Sequence, residues 1–385
     1  MFKYPFAFQK TAARFIRRIN RFVVEVETGG RRVEAYLANP GRLWELLLPG
    51  AELLLAQSQP TAKLPYTVIA CLKNGQPIML HTHMTNQVVH NLITGQWPGL
   101  FDNYRVVRTE PAWGRHRFDL LLEERESGEE YYLEIKSTTL FEDSLAMFPD
   151  AVTRRGAAHL LMLQELAARG IRTGCLFVVM NPTVKYFLPA YHIDSAFAHA
   201  FSEVRHEVEL RAIAIGFDRS FTGVSSLNPL TIPYNLLEAE LADRGSYLLL
   251  IRLDRESTIE VGKLGMQTFA TGYYVYAGSA MNGLRSRVAR HLRRKKQQHW
   301  HIDYLTAAAD AIIPVPIVSS ERLECALAQS ISALSARTLS NFGSTDCNCP
   351  GHLFYFPGNP LHNHNFINLV QHYRISRLEQ MIEPA

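Results

Sequence analysis

The chain is poor in cysteine, with five among 385 residues: Cys71, Cys175, Cys325, Cys347 and Cys349. An odd and sparse set excludes the disulfide framework of a small extracellular scaffold and fits a reducing cytoplasm. Long apolar runs are lacking too. None approaches the ~20 residues of a membrane-spanning helix, and Met1-Phe2-Lys3-Tyr4-Pro5 has none of the apolar core of a secretory signal. Secretion and membrane insertion are therefore not expected. Net charge is low, at +4, too little by itself to point to a polyanionic partner. There is no internal repeat and no low-complexity tract, which excludes a repeat array.

What is present is the composition of an ordinary globular protein, 47% hydrophobic and 20% charged, in a chain long enough for two or three compact units. Basic residues are placed unevenly. Lys3, Lys10, Arg14, Arg17, Arg18 and Arg21 occur between Met1 and Val24 without an acid, and Arg285, Arg287, Arg290, Arg293, Arg294, Lys295 and Lys296 occur between Met281 and Trp300, again without one. Such clusters are the electrostatic footprint of phosphate binding, or else solvated faces.

From Arg21 to Cys71, short β-rich runs (Arg21–Glu27, Arg31–Leu37, Ala51–Ala56) are broken by Gly29-Gly30 and Asn39-Pro40-Gly41, which predicts a small barrel. From His81 to Phe217 the texture is α/β, with a helix over Ala151–Arg169, a buried strand over Gly174–Met180 and a helix over Ala196–Val204. Phe221–Pro229 is rich in turn formers, so the main boundary is placed there. Beyond it come a strand over Ser246–Leu253 and a basic helix over Leu284–Lys296. The expected organisation is an α+β and α/β multidomain chain: a barrel over 1–80, a second domain over 81–220, a linker over 221–242 and a third domain over 243–385.

Arg115–Leu122 and Glu130–Lys136, joined by a polar turn at Ser127-Gly128, read as a hairpin. Pairing brings Asp119 opposite Glu134 or Lys136, and alternation puts Glu134 and Lys136 on one face with Leu133 and Ile135 on the other. Two carboxylates converging on a strand pair suit a hard divalent cation such as Mg²⁺. A neighbouring lysine can orient or help deprotonate water and stabilise charge on a phosphate. On spacing alone, a solvated charged face is an equal reading. Asp150, with Arg154, Arg155 and His159, opens the following helix; the acid either favours the helix dipole or serves catalysis, and Arg154 and Arg155 are candidate phosphate contacts. In the barrel, Arg17, Arg21 and Arg42 are candidate backbone contacts, and Phe15 and Phe22 are expected in the core.

Asn39-Pro40-Gly41-Arg42-Leu43, Lys63-Leu64-Pro65-Tyr66, Arg117-Phe118-Asp119, Glu134-Ile135-Lys136-Ser137 and Met147-Phe148-Pro149-Asp150-Ala151-Val152-Thr153, in that order, resemble the sugar fermentation stimulation protein A family over about residues 1 to 220. The resemblance implies an oligonucleotide-binding (OB) barrel followed by a PD-(D/E)XK nuclease-like domain, with DNA binding as the characteristic activity. Asp119, Glu134 and Lys136 match the nuclease motif position by position, and Glu110 is a further acidic candidate.

A second set lies in the last domain. Gly245-Ser246-Tyr247 opens one strand and Tyr274-Val275-Tyr276-Ala277-Gly278 ends another, followed by Leu284, Arg287, His291 and a helical Glu324. Over about residues 243 to 375 this resembles a divergent GIY-YIG nuclease domain, with Ser279 where many members carry lysine. The resemblance implies Glu324 as metal carboxylate, Arg287 as phosphate holder, and Tyr247 or Tyr276 as the group that positions water. Tyrosine, with a pKa of about 10, needs assistance to act as a base. Arg290, Arg293, Arg294 and Lys295 are expected on DNA. Cys347-x-Cys349-x-x-His352, with His299 or His301, has zinc-compatible residue types, but the spacing is irregular for a zinc finger and a Cys/His-lined core turn is the plainer expectation.

The expected function is DNA binding through the phosphate backbone with Mg²⁺- or Mn²⁺-dependent endonuclease activity. The alternative is a catalytically inactive DNA-binding regulator linked to sugar fermentation genes. Oligomeric state is not legible.

Overall fold

The computed structural model describes residues 9–114 and 116–382; Lys3 of the first basic run and Arg115 of the expected hairpin lie outside the described residues. The chain divides into two compact units, Met1–Pro233 and Tyr234–Ala385.

The first unit begins with β1 (Lys10–Asn20), β2 (Val23–Thr28), β3 (Arg31–Leu37), β4 (Glu52–Gln57), β5 (Tyr66–Lys73) and β6 (Gln76–Met79). The sheet runs β3-β2-β1-β4-β5-β6, and a parallel pairing of β3 with β5 closes the first five strands into an OB barrel. Alternation builds its interior: Ala13 and Phe15, Val24 and Val26, Ala35 and Leu37, Leu53 and Leu55 all point inward and are buried. β1 was hidden in the sequence because its outward positions carry Arg14 and Arg17, so the charges masked the period of two. Phe15 is core, as expected. Phe22 is not: it is 42% exposed because Arg21-Phe22 forms the two-residue tip between β1 and β2.

Next come α1 (Thr85–Thr94), β7 (Tyr104–Thr109), β8 (Ala112–Trp113), β9 (His116–Arg117), β10 (Leu120–Glu124), β11 (Glu130–Thr138), β12 (Leu140–Phe141), β13 (Leu145–Phe148), α2 (Arg154–Ala167), β14 (Arg172–Val179), β15 (Tyr186–Pro189), α3 (Ser195–Val204), β16 (Glu209–Phe217) and β17 (Val224–Pro229). The main sheet has the order β17-β16-β14-β11-β10-β7. β11, β14 and β16 are parallel; β14 and β16 become nearly continuous buried runs past their first residues, as covered strands do, whereas β11 keeps Glu134 and Lys136 among its apolar positions. α2 starts at Arg154 rather than Ala151 because Thr153 caps it, its Oγ1 accepting from Gly156 N–H at 3.0 Å, a contact typically worth ~1 kcal/mol. Gly156, Leu160, Leu163 and Leu166 form its buried stripe. The segment expected as linker contains β17, which pairs with β16.

The second unit comprises α4 (Tyr234–Glu240), β18 (Gly245–Leu253), β19 (Ser257–Glu260), β20 (Met266–Phe269), β21 (Gly272–Ala280), α5 (Leu284–Leu292), α6 (His301–Ala308), β22 (Ala311–Val318), α7 (Glu324–Ser332), β23 (Arg337–Leu339), β24 (Leu353–Phe356), α8 (His364–Gln371) and α9 (Arg377–Ile382). Its main sheet is β22-β18-β21-β24-β23, with antiparallel pairings throughout. The basic helix is shorter than expected, ending at Leu292. Among the described residues, no helix is long and apolar enough to cross a membrane.

Candidate active sites

The hairpin of the first unit forms with Leu120 opposite Leu133, and continuing that register sets Asp119 against Glu134. The first strand is interrupted at Phe118-Asp119, between β9 and β10. There the Asp119 side chain substitutes for a backbone carbonyl: Ile135 N–H donates to its Oδ2 at 2.6 Å. Asn86 Nδ2, from α1, donates to Oδ1 at 2.6 Å. Glu134, 3% exposed, uses Oε1 to accept from Lys136 Nζ, and the same oxygen lies 2.5 Å from His159 Nδ1 on α2. Its Oε2 is buried without a hydrogen-bond partner.

These contacts divide the charges. Burial, and then the charge of Glu134, push the Asp119 carboxyl up to about 6. Burial acts on Glu134 in the same direction, but His159 and Lys136 outweigh it and hold that carboxylate below its usual range. For Lys136, burial works against the ammonium, and the Glu134 carboxylate overcomes it, leaving the pKa raised. The lysine therefore keeps its proton. Its position suits orienting water or holding a phosphate charge.

Lys136 and Asn86 line a cleft of about 270 Å³ whose other walls include Arg21, Asn39, Gly41 and Asp150. Asp150 is not in the first turn of α2. Its Oδ2 accepts from Leu43 N–H at 2.7 Å, fastening the Asn39–Leu43 loop of the barrel beside the nuclease-like site. Arg18, not singled out in the sequence, fastens the other side of that loop: its guanidinium donates to the carbonyls of Asn39, Gly41 and Arg42 at 2.9, 2.5 and 3.0 Å. Glu110 stands apart, largely exposed and 3.6 Å from Arg117. Arg154 and Arg155 are exposed at the start of α2. Arg21 is exposed over Phe22, at 5.7 Å, and half-buried Arg42 lies over Trp44, at 4.9 Å. Arg17 is exposed but bonded to Glu25 at 2.7 Å.

In the second unit, β18 and β21 pair so that Tyr247 faces Gly278. A Cβ on Gly278 would lie 2.6 Å from the Tyr247 ring and 3.0 Å from that of Tyr276, so glycine there lets the two phenols converge, with ring centres 6.3 Å apart. Tyr247, Tyr276, Arg287 and Glu324, distant in sequence, all line one cleft of about 520 Å³. Glu324 begins α7; its Oε2 accepts from Ser279 Oγ at 2.5 Å, and Oε1 lies 3.2 Å from His352 Nδ1. Ser279 thus engages the carboxylate from the position where lysine is commoner. Burial raises the pKa of both phenols, so they keep their protons and are placed to position water. Tyr247 Oη is 2.9 Å from His291 Nε2.

Acids from elsewhere in the fold meet much of the second basic run. Arg290 makes two bonds to fully buried Asp303, at 2.9 and 3.0 Å; Lys296 lies 3.7 Å from the same carboxylate, and Arg285 3.2 Å from Asp243. Arg290, expected on DNA, is thus committed to anchoring α5 to α6. Arg287 and Arg290 pack over Trp300 at 4.3 and 4.4 Å. Arg293, Arg294 and Lys295 are exposed just beyond the helix. Cys347, Cys349 and His352 are joined by Cys325, whereas His299 and His301 line the cleft.

Asn86 escaped sequence reading, as did the contacts made by Arg18 and Asp303, because their partners are remote in the chain. His159 carried a weak signal, a polar residue directly before the apolar stripe position Leu160.

Comparison with known proteins agrees with this architecture. The SfsA N-terminal OB domain matches residues 16–80, the sugar fermentation stimulation protein RE domain residues 83–221, and DUF123, a domain of unknown function, residues 246–375. A sugar fermentation stimulation protein homolog of Clostridium tetani (strain Massachusetts / E88) is 36% identical over 211 residues, spanning 54% of this chain and 91% of that protein. A homolog from Clostridium botulinum (strain Hall) is 34% identical over 222 residues, or 57% and 95%. The structure of Pyrococcus furiosus SfsA in complex with Ca²⁺ covers 60% of this chain and 97% of its own, at 27% identity and a TM-score of 0.54. The chain belongs to the sugar fermentation stimulation protein family, carrying its OB and nuclease-like domains ahead of a GIY-YIG-like DUF123 domain.

Proposed function

We propose that the protein binds DNA along its phosphate backbone and hydrolyses phosphodiester bonds with Mg²⁺ or Mn²⁺ at Asp119, Glu134 and Lys136. The observation that carries the reading is the buried, partnerless Oε2 of Glu134 beside an Asp119 carboxyl that burial and its neighbour keep from ionising easily. Two crowded carboxylates and an unused oxygen fit a hard cation. Asp119 and Glu134 would hold it, and it would supply positive charge at the phosphate. Lys136, protonated, would orient water and stabilise the developing phosphate charge, while Asn86 and His159 fix the two carboxylates. Arg21, Arg42, Arg154 and Arg155 would receive the backbone, with Arg17 at the edge of the barrel. The family relative solved with Ca²⁺ supports a divalent site.

The cleft with Tyr247, Tyr276, Arg287 and Glu324 would be a second phosphate-handling centre, with Glu324 as cation ligand, Arg287 on the phosphate and the phenols positioning water. Arg293, Arg294 and Lys295 would extend its contact with DNA. The odd and sparse set of cysteines fits action in the cytoplasm.

The test is cleavage of DNA by purified protein with Mg²⁺ or Mn²⁺. Asp119→Ala and Glu134→Ala should each abolish the activity of the first site, and Glu324→Ala that of the second. Undiminished cleavage by the Asp119→Ala/Glu134→Ala protein would remove the first site from the mechanism. Salt-sensitive DNA binding with no cleavage on any DNA form or metal would leave a binding regulator.

A further inference from the structure

The segment 340–352 between β23 and β24 carries Cys347, Cys349 and His352, and α7 carries Cys325 next to Glu324. The three sulfurs and an imidazole nitrogen lie within 4.8 Å of one another. We propose that these four residues form a zinc site that pins one wall of the Tyr247–Glu324 cleft. The assignment holds whether or not that cleft cuts DNA.

The donor set is that of a structural zinc site, three thiolates and one imidazole. Tetrahedral zinc with bonds of ~2.3 Å to sulfur and ~2.0 Å to nitrogen separates those atoms by about 3.5 Å; Cys347 Sγ and His352 Nε2 are 3.4 Å apart. His352 is fully buried, and its Nδ1 faces Glu324 Oε1 at 3.2 Å. An imidazole ligating through one nitrogen is commonly oriented by a carboxylate at the other. Sulfur donors select zinc over Mg²⁺ or Mn²⁺, so this site and the carboxylate of Glu324 would take different ions. Binding releases three thiol protons, no electron moves, and the imidazole contributes a lone pair.

The backbone is folded for the purpose. Asn341 N–H donates to Pro350 O and His352 N–H to Phe342 O, both at 2.8 Å, turning the segment back on itself. A Cβ on Gly351 would collide with the Leu339 carbonyl, so the close return needs glycine. The same segment supplies Gly343, Thr345 and Asp346 to the cleft. Zinc would therefore tie that wall to the first turn of α7, where Glu324 sits.

Full-length protein purified under reducing conditions without chelator should contain one zinc per chain. Exchange for Co²⁺ should give thiolate charge-transfer absorption and tetrahedral visible bands. Cys349→Ser should lower metal retention at least tenfold, while Cys175→Ser retains the metal. Chelation should speed hydrogen exchange across 340–352 and the first turn of α7 and leave β18 protected. If Cys349→Ser does not fold, the Co²⁺ spectrum of the unaltered protein decides. No zinc uptake by the reduced protein, an octahedral Co²⁺ spectrum, a disulfide among these cysteines, or exchange unchanged by chelation would each overturn the proposal.

Discussion

Replacing Lys136 with methionine should make the stability of the nuclease-like domain depend on a divalent cation. The Lys136 side chain is 15% exposed and its partner Glu134 4%, so the pair is largely shielded from water. Removing one member of a buried pair costs ~3–5 kcal/mol, because the other is left as an uncompensated charge. Here the residual exposure of the lysine, and His159 on the same Glu134 oxygen, place the expected loss near ~3 kcal/mol. A cation at the two carboxylates then replaces the missing charge. At one hundred times its Kd it returns ~2.7 kcal/mol, and its gain should be larger in Lys136→Met than in the unaltered protein. Hydrogen exchange of β11 and β14 amides, in EDTA and then in saturating Mg²⁺ or Ca²⁺, reads the effect within that domain. Glu134→Gln/Lys136→Met removes both charges and should recover most of the loss while losing the extra response to the cation. Lys136→Met as stable in EDTA as the unaltered protein, with no added gain from the cation, would refute the reasoning.

Other expectations follow from the same contacts. Burial, opposed by Asp303, brings the His291 pKa down to about 4. The unfolded chain, with its histidine near 6.5, therefore binds the extra proton, and stability falls as pH drops from about 6.5 toward 4, by on the order of 2 kcal/mol at pH 5. Urea titrations followed by exchange of β18 should show this, and His291→Gln should flatten it. Asp303→Asn should destabilise the second unit by ~3–5 kcal/mol, since Arg290 and Lys296 lose their buried counter-charge; thermal unfolding tests it. Arg154→Ala/Arg155→Ala should weaken DNA binding uniformly across sequences and lower the slope of log affinity against log salt by about 0.9 per lost contact; an unchanged slope would take both residues off the phosphates. Asp150→Ala should free the Asn39–Leu43 loop, visible as faster exchange at Leu43.

Much was legible in the chain before folding was considered. Asp119 opposite Glu134 or Lys136 follows from a turn at Ser127-Gly128 and the period of two, and the strand register selects Glu134. The Tyr247 and Tyr276 strands were marked by glycine-bearing motifs, one opening its strand and the other near the end of its own; their pairing was not. β1 and Phe22 were harder. Outward arginines obscured the first, and the second is apolar in character but sits at a turn tip.

The sequence by itself determined residue chemistry and local period: a hairpin with two acids and a lysine, a barrel of short strands, two basic clusters and a Cys/His-rich segment. Tertiary structure alone decided which charges remain available. Asp303 and Asp243 neutralise arginines that look uncompensated along the chain, His159 arrives from α2 at the Glu134 oxygen that Lys136 also holds, and Cys325 arrives from α7 to complete a ligand set that the spacing of Cys347 and Cys349 leaves unfinished. The physical reason is distance. Local pattern constrains neighbours a few residues apart, whereas Coulomb energy, desolvation and metal coordination depend on which remote groups the fold brings within a few ångströms.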